Sequence, residues 1–236
     1  SFSRRQALGV LSAGVASVAV SGSRAFAQAP AGEAQVTALL DSIGENLLAL
    51  SPESATSPGI DTGTRAHLRS KLSERSRAGQ DKIAATLRAD LARAEAVDAR
   101  ALTHSTRTSV EVVKSAYRVA LDGFAQPYGD VAVGGWRNTP YVVIQNVGAY
   151  LDIPRFLDSE HQIETAADAE AYLARLADYP QQLDNELGRV IMARYKGLIP
   201  PGFLIDKTLE QLKASADGAR KGGGLVESIE RRTREK

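Results

Sequence analysis

The chain has 236 residues, no cysteine, and 29 basic against 28 acidic side chains. Lack of cysteine excludes disulfides, thiolate metal sites and a cysteine nucleophile. The near balance of charge gives no electrostatic reason to expect nucleic acid or an anionic membrane surface as partner.

The first segment has the grammar of an export signal. Ser3-Arg4-Arg5-Gln6-Ala7-Leu8 opens it, a mild apolar run follows from Ala7 to Val20, and Ala25-Phe26-Ala27 precedes Gln28. Paired arginines, a short apolar core and an A-x-A end describe a twin-arginine signal over residues 1–27, cleaved at Ala25, Ala27 and Gln28. The expected location is periplasmic or secreted. The apolar run is diluted with Gly, Ser and Ala and falls short of the roughly 20 apolar residues a bilayer span needs, so no stable membrane span is expected. Removing residues 1–27 takes away Arg4, Arg5 and Arg24 and no acid, leaving 26 basic against 28 acidic residues.

Downstream the pattern is helical. Val36, Leu39, Leu40, Ile43, Leu47 and Leu48 fall at three- and four-residue steps, one face of an amphipathic helix. Ser51 to Gly63 concentrates Ser, Pro, Gly and Thr and reads as a loop. A second helix is expected over about Thr64 to Arg77 with Leu68 and Leu72. A third, with Ile83, Leu87 and Leu91, follows Gly79 and runs to about Leu102. A fourth carries Val110, Val113, Tyr117 and Leu121 and stops near Gly123. Short joints between them predict antiparallel packing of neighbours.

Between Phe124 and Tyr150 the chain is punctuated by Pro127, Gly129, Gly134, Gly135, Pro140 and Gly148. Val131-Ala132-Val133 and Tyr141-Val142-Val143-Ile144 have strand-like content, which predicts a small hairpin or an extended irregular loop. Helical grammar then returns. Thr165 with Asp168 resembles a capping box ahead of Tyr172, Leu173 and Leu176. Pro180 is expected to open a separate helix carried by Leu183, Leu187 and Ile191 and closed by Gly197. Asp206 is a candidate cap for a helix through Leu209 and Leu212. Gly218 to Gly224 reads as a flexible joint, and residues 222–236 as the charged start of a further helix that lacks its continuation. The fold class is mainly α, with residues 28–221 forming the helical N-terminal region of a larger domain.

Catalytic signatures are sparse. His67, His104 and His161 stand far apart, and none has a partner at metal-ligand spacing. His67 and His104 are expected on the surface. His161 follows Glu160, which predicts a local salt link rather than a ligand role. No G-x-S-x-G is present, and the glycines near Gly222 lack the Gly-Lys-Ser/Thr ending of a phosphate loop. The best local case for binding is the irregular segment with Trp136, Arg137, Asn138, Tyr141 and Gln145. Its aromatic, guanidinium and amide groups suit a cleft that orients a peptide-like substrate, or an interface. The plain alternative makes Trp136 and Tyr141 filling between helices, with Arg137 paired to a carboxylate. No catalytic and no metal residue is assigned.

The segments Tyr141 to Leu157, His161 to Ile163, Asp168 to Leu176 and Gly197 to Leu212 closely resemble a bacterial family known as domain of unknown function 885. So do Ser51 to Thr56 and Gly59 to Gly63. The resemblance implies a long, mostly helical, often exported protein whose later half carries an H-E-x-x-H-type helix and is similar to zinc peptidases of the gluzincin kind. The present sequence contains no H-E-x-x-H. What the resemblance implies is therefore the N-terminal, cleft-wall part of such a protein, with no cofactor of its own, zinc in the C-terminal half, and that half as its partner. Alone, such a part would be catalytically silent and prone to self-association through uncovered apolar stripes. The alternative is a stand-alone periplasmic helical binding module without catalysis.

Overall fold

The computed structural model describes residues 31–133 and 139–234. The mainly α class is confirmed: eight α-helices and two short 3-10 turns account for the regular structure of these residues. In chain order they are α1 (Ala31–Leu50), α2 (Glu53–Thr56), a 3-10 turn over Gly63–Leu68, α3 (Arg77–Glu95), a 3-10 turn over Ala99–Ala101, α4 (His104–Phe124), α5 (Ala149–Ser159), α6 (Ala166–Tyr195), α7 (Gly202–Arg220) and α8 (Leu225–Arg234). No described helix is long and apolar enough to cross a membrane. The proposed signal residues, including Ala25, Ala27 and Gln28, lie outside the described residues.

Two apolar clusters organise the helices. In the first, α1, α3 and α4 pack around Ile43, Leu87, Ala94, Tyr117 and Ala120, of which Ile43, Leu87 and Tyr117 belong to the apolar stripes of the sequence. Polar ties lock this unit at its edge. The Glu33 carboxylate in the first turn of α1 accepts from Thr103 N at 3.0 Å and Thr103 Oγ1 at 2.7 Å, placing negative charge at the N-terminus of α4. Asn46 of α1 donates to Asp90 of α3 at 2.9 Å. In the second cluster, α5, α6 and α8 enclose Leu72, Ala149, Ile153, Phe156, Leu157, Ile163 and Tyr172.

Several expectations are corrected. The stretch from Thr64 to Arg77 is not a helix; it is a 3-10 turn ending at Leu68 and then irregular chain, because its carbonyls at Leu68 and Lys71 are taken by a side chain of α6. Pro180 does not open a helix. It sits on the exposed side inside one continuous 30-residue helix, α6. Asp206 does not cap α7, which begins at Gly202 after Pro201. Residues 149–159, unassigned from sequence, form α5 in spite of Pro154. The 124–150 region keeps its irregular character: among the described residues it holds only the isolated antiparallel bridges Asp130 with Thr139 and Ile144 with Val147. Gly222 and Gly224 adopt positive φ between α7 and α8, where side chains would be strained.

The buried face of α6 changes character along its length. Its N-terminal half buries Ala171 and Tyr172 along with Arg175, but past Pro180 the buried residues are Gln182, Glu186 and Arg189, while Leu187 and Ile191 face outward.

Candidate functional site

Two polar assemblies stand out, one closed and one open to solvent. The closed one centres on Arg175, which is fully buried. Its Nε donates to Lys71 O at 2.8 Å, its Nη2 to Thr56 Oγ1 at 2.8 Å and Leu68 O at 3.1 Å, and its Nη1 to His161 Nδ1 at 2.8 Å. Since Nδ1 accepts, the His161 proton is on Nε2, which donates to Asp168 O at 3.0 Å. The Arg175 guanidinium lies 4.8 Å from the centre of the Phe156 ring, and Tyr172 meets the imidazole edge-on at 5.5 Å.

A second chain of contacts runs alongside. Arg69 forks onto Asp61 at 2.9 and 3.2 Å and also bonds Asp168, while Thr56 Oγ1 donates to Asp61 at 2.7 Å. Asp168 keeps its expected capping duty as well, accepting from Thr165 N at 2.9 Å and Glu164 N at 3.1 Å. Burial opposes ionisation of Asp61, but the Arg69 and Thr56 hydrogen bonds outweigh it and hold the carboxyl below its usual value. Burial likewise opposes ionisation of Asp168, and the donors at Glu164, Thr165 and Arg69 prevail. For His161, burial together with the cations Arg175, Arg232 and Arg69 outweighs the Asp168 carbonyl and pushes the imidazole below 6.5. Burial pushes Arg175 down to about 10, still a cation at neutral pH.

The expected salt link of His161 with Glu160 is therefore absent. Glu160 instead accepts from Ser57, and the imidazole partner is Arg175, fourteen residues on in helix α6. Both ring nitrogens are committed, so His161 has no lone pair for a metal. His67 and His104 are exposed, as expected. Among the described residues no group of three or more His, Cys, Asp or Glu side chains could hold a metal ion. The described residues do not fit a zinc centre. The closed assembly ties the α2 to α3 connection to α5 and α6; it is a fastening rather than a reaction site.

The open assembly is a groove of about 550 Å³ between the start of α3, the end of α4 and the C-terminal half of α6. Arg77, Arg88 and Asp81 line one side, and Asp184, Arg189, Met192 and Lys196 the other. Val131, Val142 and Tyr128 come from the irregular loop. Charged groups of both signs and apolar side chains share this lining.

Helix α6 fixes the loop onto this groove. Arg189 Nη2 donates to Gly129 O at 2.9 Å and Asp130 Oδ1 at 2.8 Å, and Lys196 Nζ donates to Pro127 O at 2.8 Å. At the loop's far end Glu186 Oε2 accepts from Ala149 N at 2.7 Å, and Glu186 Oε1 from Arg75 Nη1 at 2.8 Å. Burial pushes the Glu186 carboxyl up, against the pull of Arg75 and the Ala149 N–H. Gly148 just before has φ +134°, and a Cβ there would stand 3.2 Å from the Tyr150 ring and 3.3 Å from Glu186 Oε2. Tyr150 Oη completes the anchor, bonding Ile144 O at 3.0 Å and Gln211 Oε1 at 2.7 Å.

Trp136, Arg137 and Asn138 lie outside the described residues. Tyr141 and Gln145 are half-buried on the loop; the Tyr141 N–H donates to Thr139 Oγ1 at 3.2 Å, and Val142 between them is the groove-lining residue. Sequence reasoning located the loop but missed the groups that hold it. Glu186, Arg189 and Lys196 carry no local signal beyond their helical spacing, and Arg75 none at all.

A family model described as a bacterial protein of unknown function, DUF885, matches residues 52–236. No curated protein matches the chain. A solved structure, named as the "putative lipoprotein from Colwellia psychrerythraea", is similar with a TM-score of 0.68 at 19% identity, over 84% of this chain and 34% of that one. At that identity the likeness is one of fold, and the chain spans about a third of the length of the solved protein.

Proposed function

The chain belongs to the DUF885 family, and on that premise we propose that it is the helical N-terminal region of an exported zinc-metallopeptidase-like protein, forming one wall of a substrate cleft. The metal-binding residues belong to a C-terminal portion not contained in these residues, and the region alone is catalytically silent. In that division of labour residues 1–27 are an export signal, the mature protein is periplasmic or secreted, and residues 222–236 lead toward the following part. The observation that carries the reading is the groove beside the anchored 124–150 loop, in a chain that spans 34% of a solved protein of the same fold.

The groove's mixed lining supports a peptide as occupant. Arg189 and Glu186 hold the loop at Gly129 and Ala149, beside the groove. Zinc, when bound in the complete protein, would lower the pKa of its water.

The test uses the complete gene product. Zinc content, and peptide hydrolysis lost to a chelator and restored by zinc, are expected there, with Arg137→Ala raising KM. Tight zinc binding by the 236-residue chain itself, or peptide hydrolysis by it, overturns the proposal.

A further inference from the structure

Past Pro180, Leu183 still packs against the core, but the apolar residues that follow it on α6 turn outward. Gln182, Glu186 and Arg189 face the loop and the core, which leaves Leu187, Ile191 and Tyr195 outward at 54%, 44% and 83% exposure. These three recur every fourth residue and so form one stripe. Ile199 and Phe203, 59% and 64% exposed, carry the apolar run over the Pro200-Pro201 break into the first turn of α7. Helix α7 is thinly held: Thr208 is the buried residue among its 19.

Elsewhere the exposed apolar residues are scattered; Val112 and Val119 on α4 stand two turns apart. Single exposed apolar side chains need no explanation, but Leu187, Ile191 and Tyr195 share one helix face and the exposed Ile199 and Phe203 follow them in sequence, an accumulation that marks an interaction surface. A surface helix ordinarily turns such a stripe inward. Here the inward face is spent on anchoring the 124–150 loop, so the outward stripe is free to serve something else.

We propose that the face from Leu187 to Phe203 is the seat of the remaining polypeptide of the complete protein, an apolar surface packed onto α6 and α7. The inference rests on the reading of a longer protein given above. It draws on the solved structure of the same fold, of which this chain covers 34%, so most of a chain of that kind lies outside the matching region and needs a surface to pack against. The stripe sits on the outer side of the helix whose opposite side holds the groove loop. Docking there would fix the following region next to the proposed substrate cleft.

Hydroxyl-radical footprinting of the complete gene product over a dilution series tests this with two tyrosines of equal intrinsic reactivity. In the present fold Tyr195 is 83% and Tyr128 43% exposed, so an uncovered Tyr195 would be labelled faster. The expected result is the inverse order, with Tyr195 and Phe203 protected, and protection lost in Ile191→Asp, a change at an exposed position. Faster labelling of Tyr195 than Tyr128 overturns the proposal. Protection that disappears when a dimer is diluted to monomer assigns the face to a second copy and overturns it equally. A reading frame that stops at Lys236 removes the longer protein itself, and is seen before any footprint is made.

Discussion

Replacing Arg175 by methionine measures how much the buried fastening contributes. The substitution keeps an unbranched apolar stem and removes the guanidinium beyond it. It deletes four hydrogen bonds and leaves Lys71 O, Leu68 O, Thr56 Oγ1 and His161 Nδ1 facing an apolar group, in a site that is fully buried. Unlike a swap of a whole ionic cluster for apolar residues, this removes the donor and retains its acceptors. The expected cost is about 3–5 kcal/mol, since several buried acceptors, each worth about 1–3 kcal/mol when left unsatisfied, lose their donor together and relax in part. For a domain of this size that corresponds to a fall in Tm of about 6–20 °C. Urea denaturation should give the same loss with an unchanged dependence on denaturant, since the surface exposed on unfolding stays the same. Arg175→Lys should recover only a minor part, because one ammonium cannot reach acceptors spread around a planar fork. A variant within about 1 kcal/mol of the parent would refute the assignment, since that is the worth of one ordinary hydrogen bond.

Acid should unfold the protein in two stages. His161 is held below 6.5, so its contribution is complete above that value and is lost as pH falls through the lower folded value; Asp61 and Asp168, held below 3.8, add a second loss further down. Urea midpoints followed from neutral pH downward should show the first stage removed in His161→Gln, and an unaltered profile would contradict the placement of the proton. Tyr117 presents the opposite case: its hydroxyl is buried without a partner, and burial with the nearby Asp90 pushes it up to about 12. Tyr117→Phe should therefore leave Tm unchanged or raise it by the equivalent of up to about 1 kcal/mol, whereas a clear loss would reveal an unrecognised bond. Gly148→Ala, at φ +134° with its Cβ pressed against Glu186 and Tyr150, should cost about 1–3 kcal/mol. Amide exchange should report that damage first around Ile144 and Ala149.

The helices around the first apolar cluster were legible because each carries a complete three-four stripe, and α4 stops at Gly123 and Phe124 as the sequence suggests. The Thr165 capping box was legible for the same reason: its partners are three residues apart. What escaped was non-local. The stretch after Leu68 has helical spacing, but its carbonyls bond a guanidinium more than a hundred residues away, which a local pattern does not record. Pro180 was read as a boundary since proline removes a helical donor, yet at an exposed position inside a long, otherwise packed helix the loss is tolerated. Periodicity identifies which residues share a face, not which face the rest of the molecule occupies, so it does not tell that Leu187 and Ile191 point outward. The candidate binding loop was found by composition alone, and its braces at Glu186 and Arg189 only through the fold.

Helix α6 makes the fastening and the loop mechanically one object. Asp168 and Arg175 grip its first half, Glu186, Arg189 and Lys196 its second, and a proline lies between them. From Asp168 to Lys196 the rod is about 42 Å long at 1.5 Å per residue. A small tilt of its buried end, pivoting where one backbone bond is missing, is multiplied by that lever arm at the tip. Geometry at the groove is thus set partly by residues that no ligand in it would ever touch.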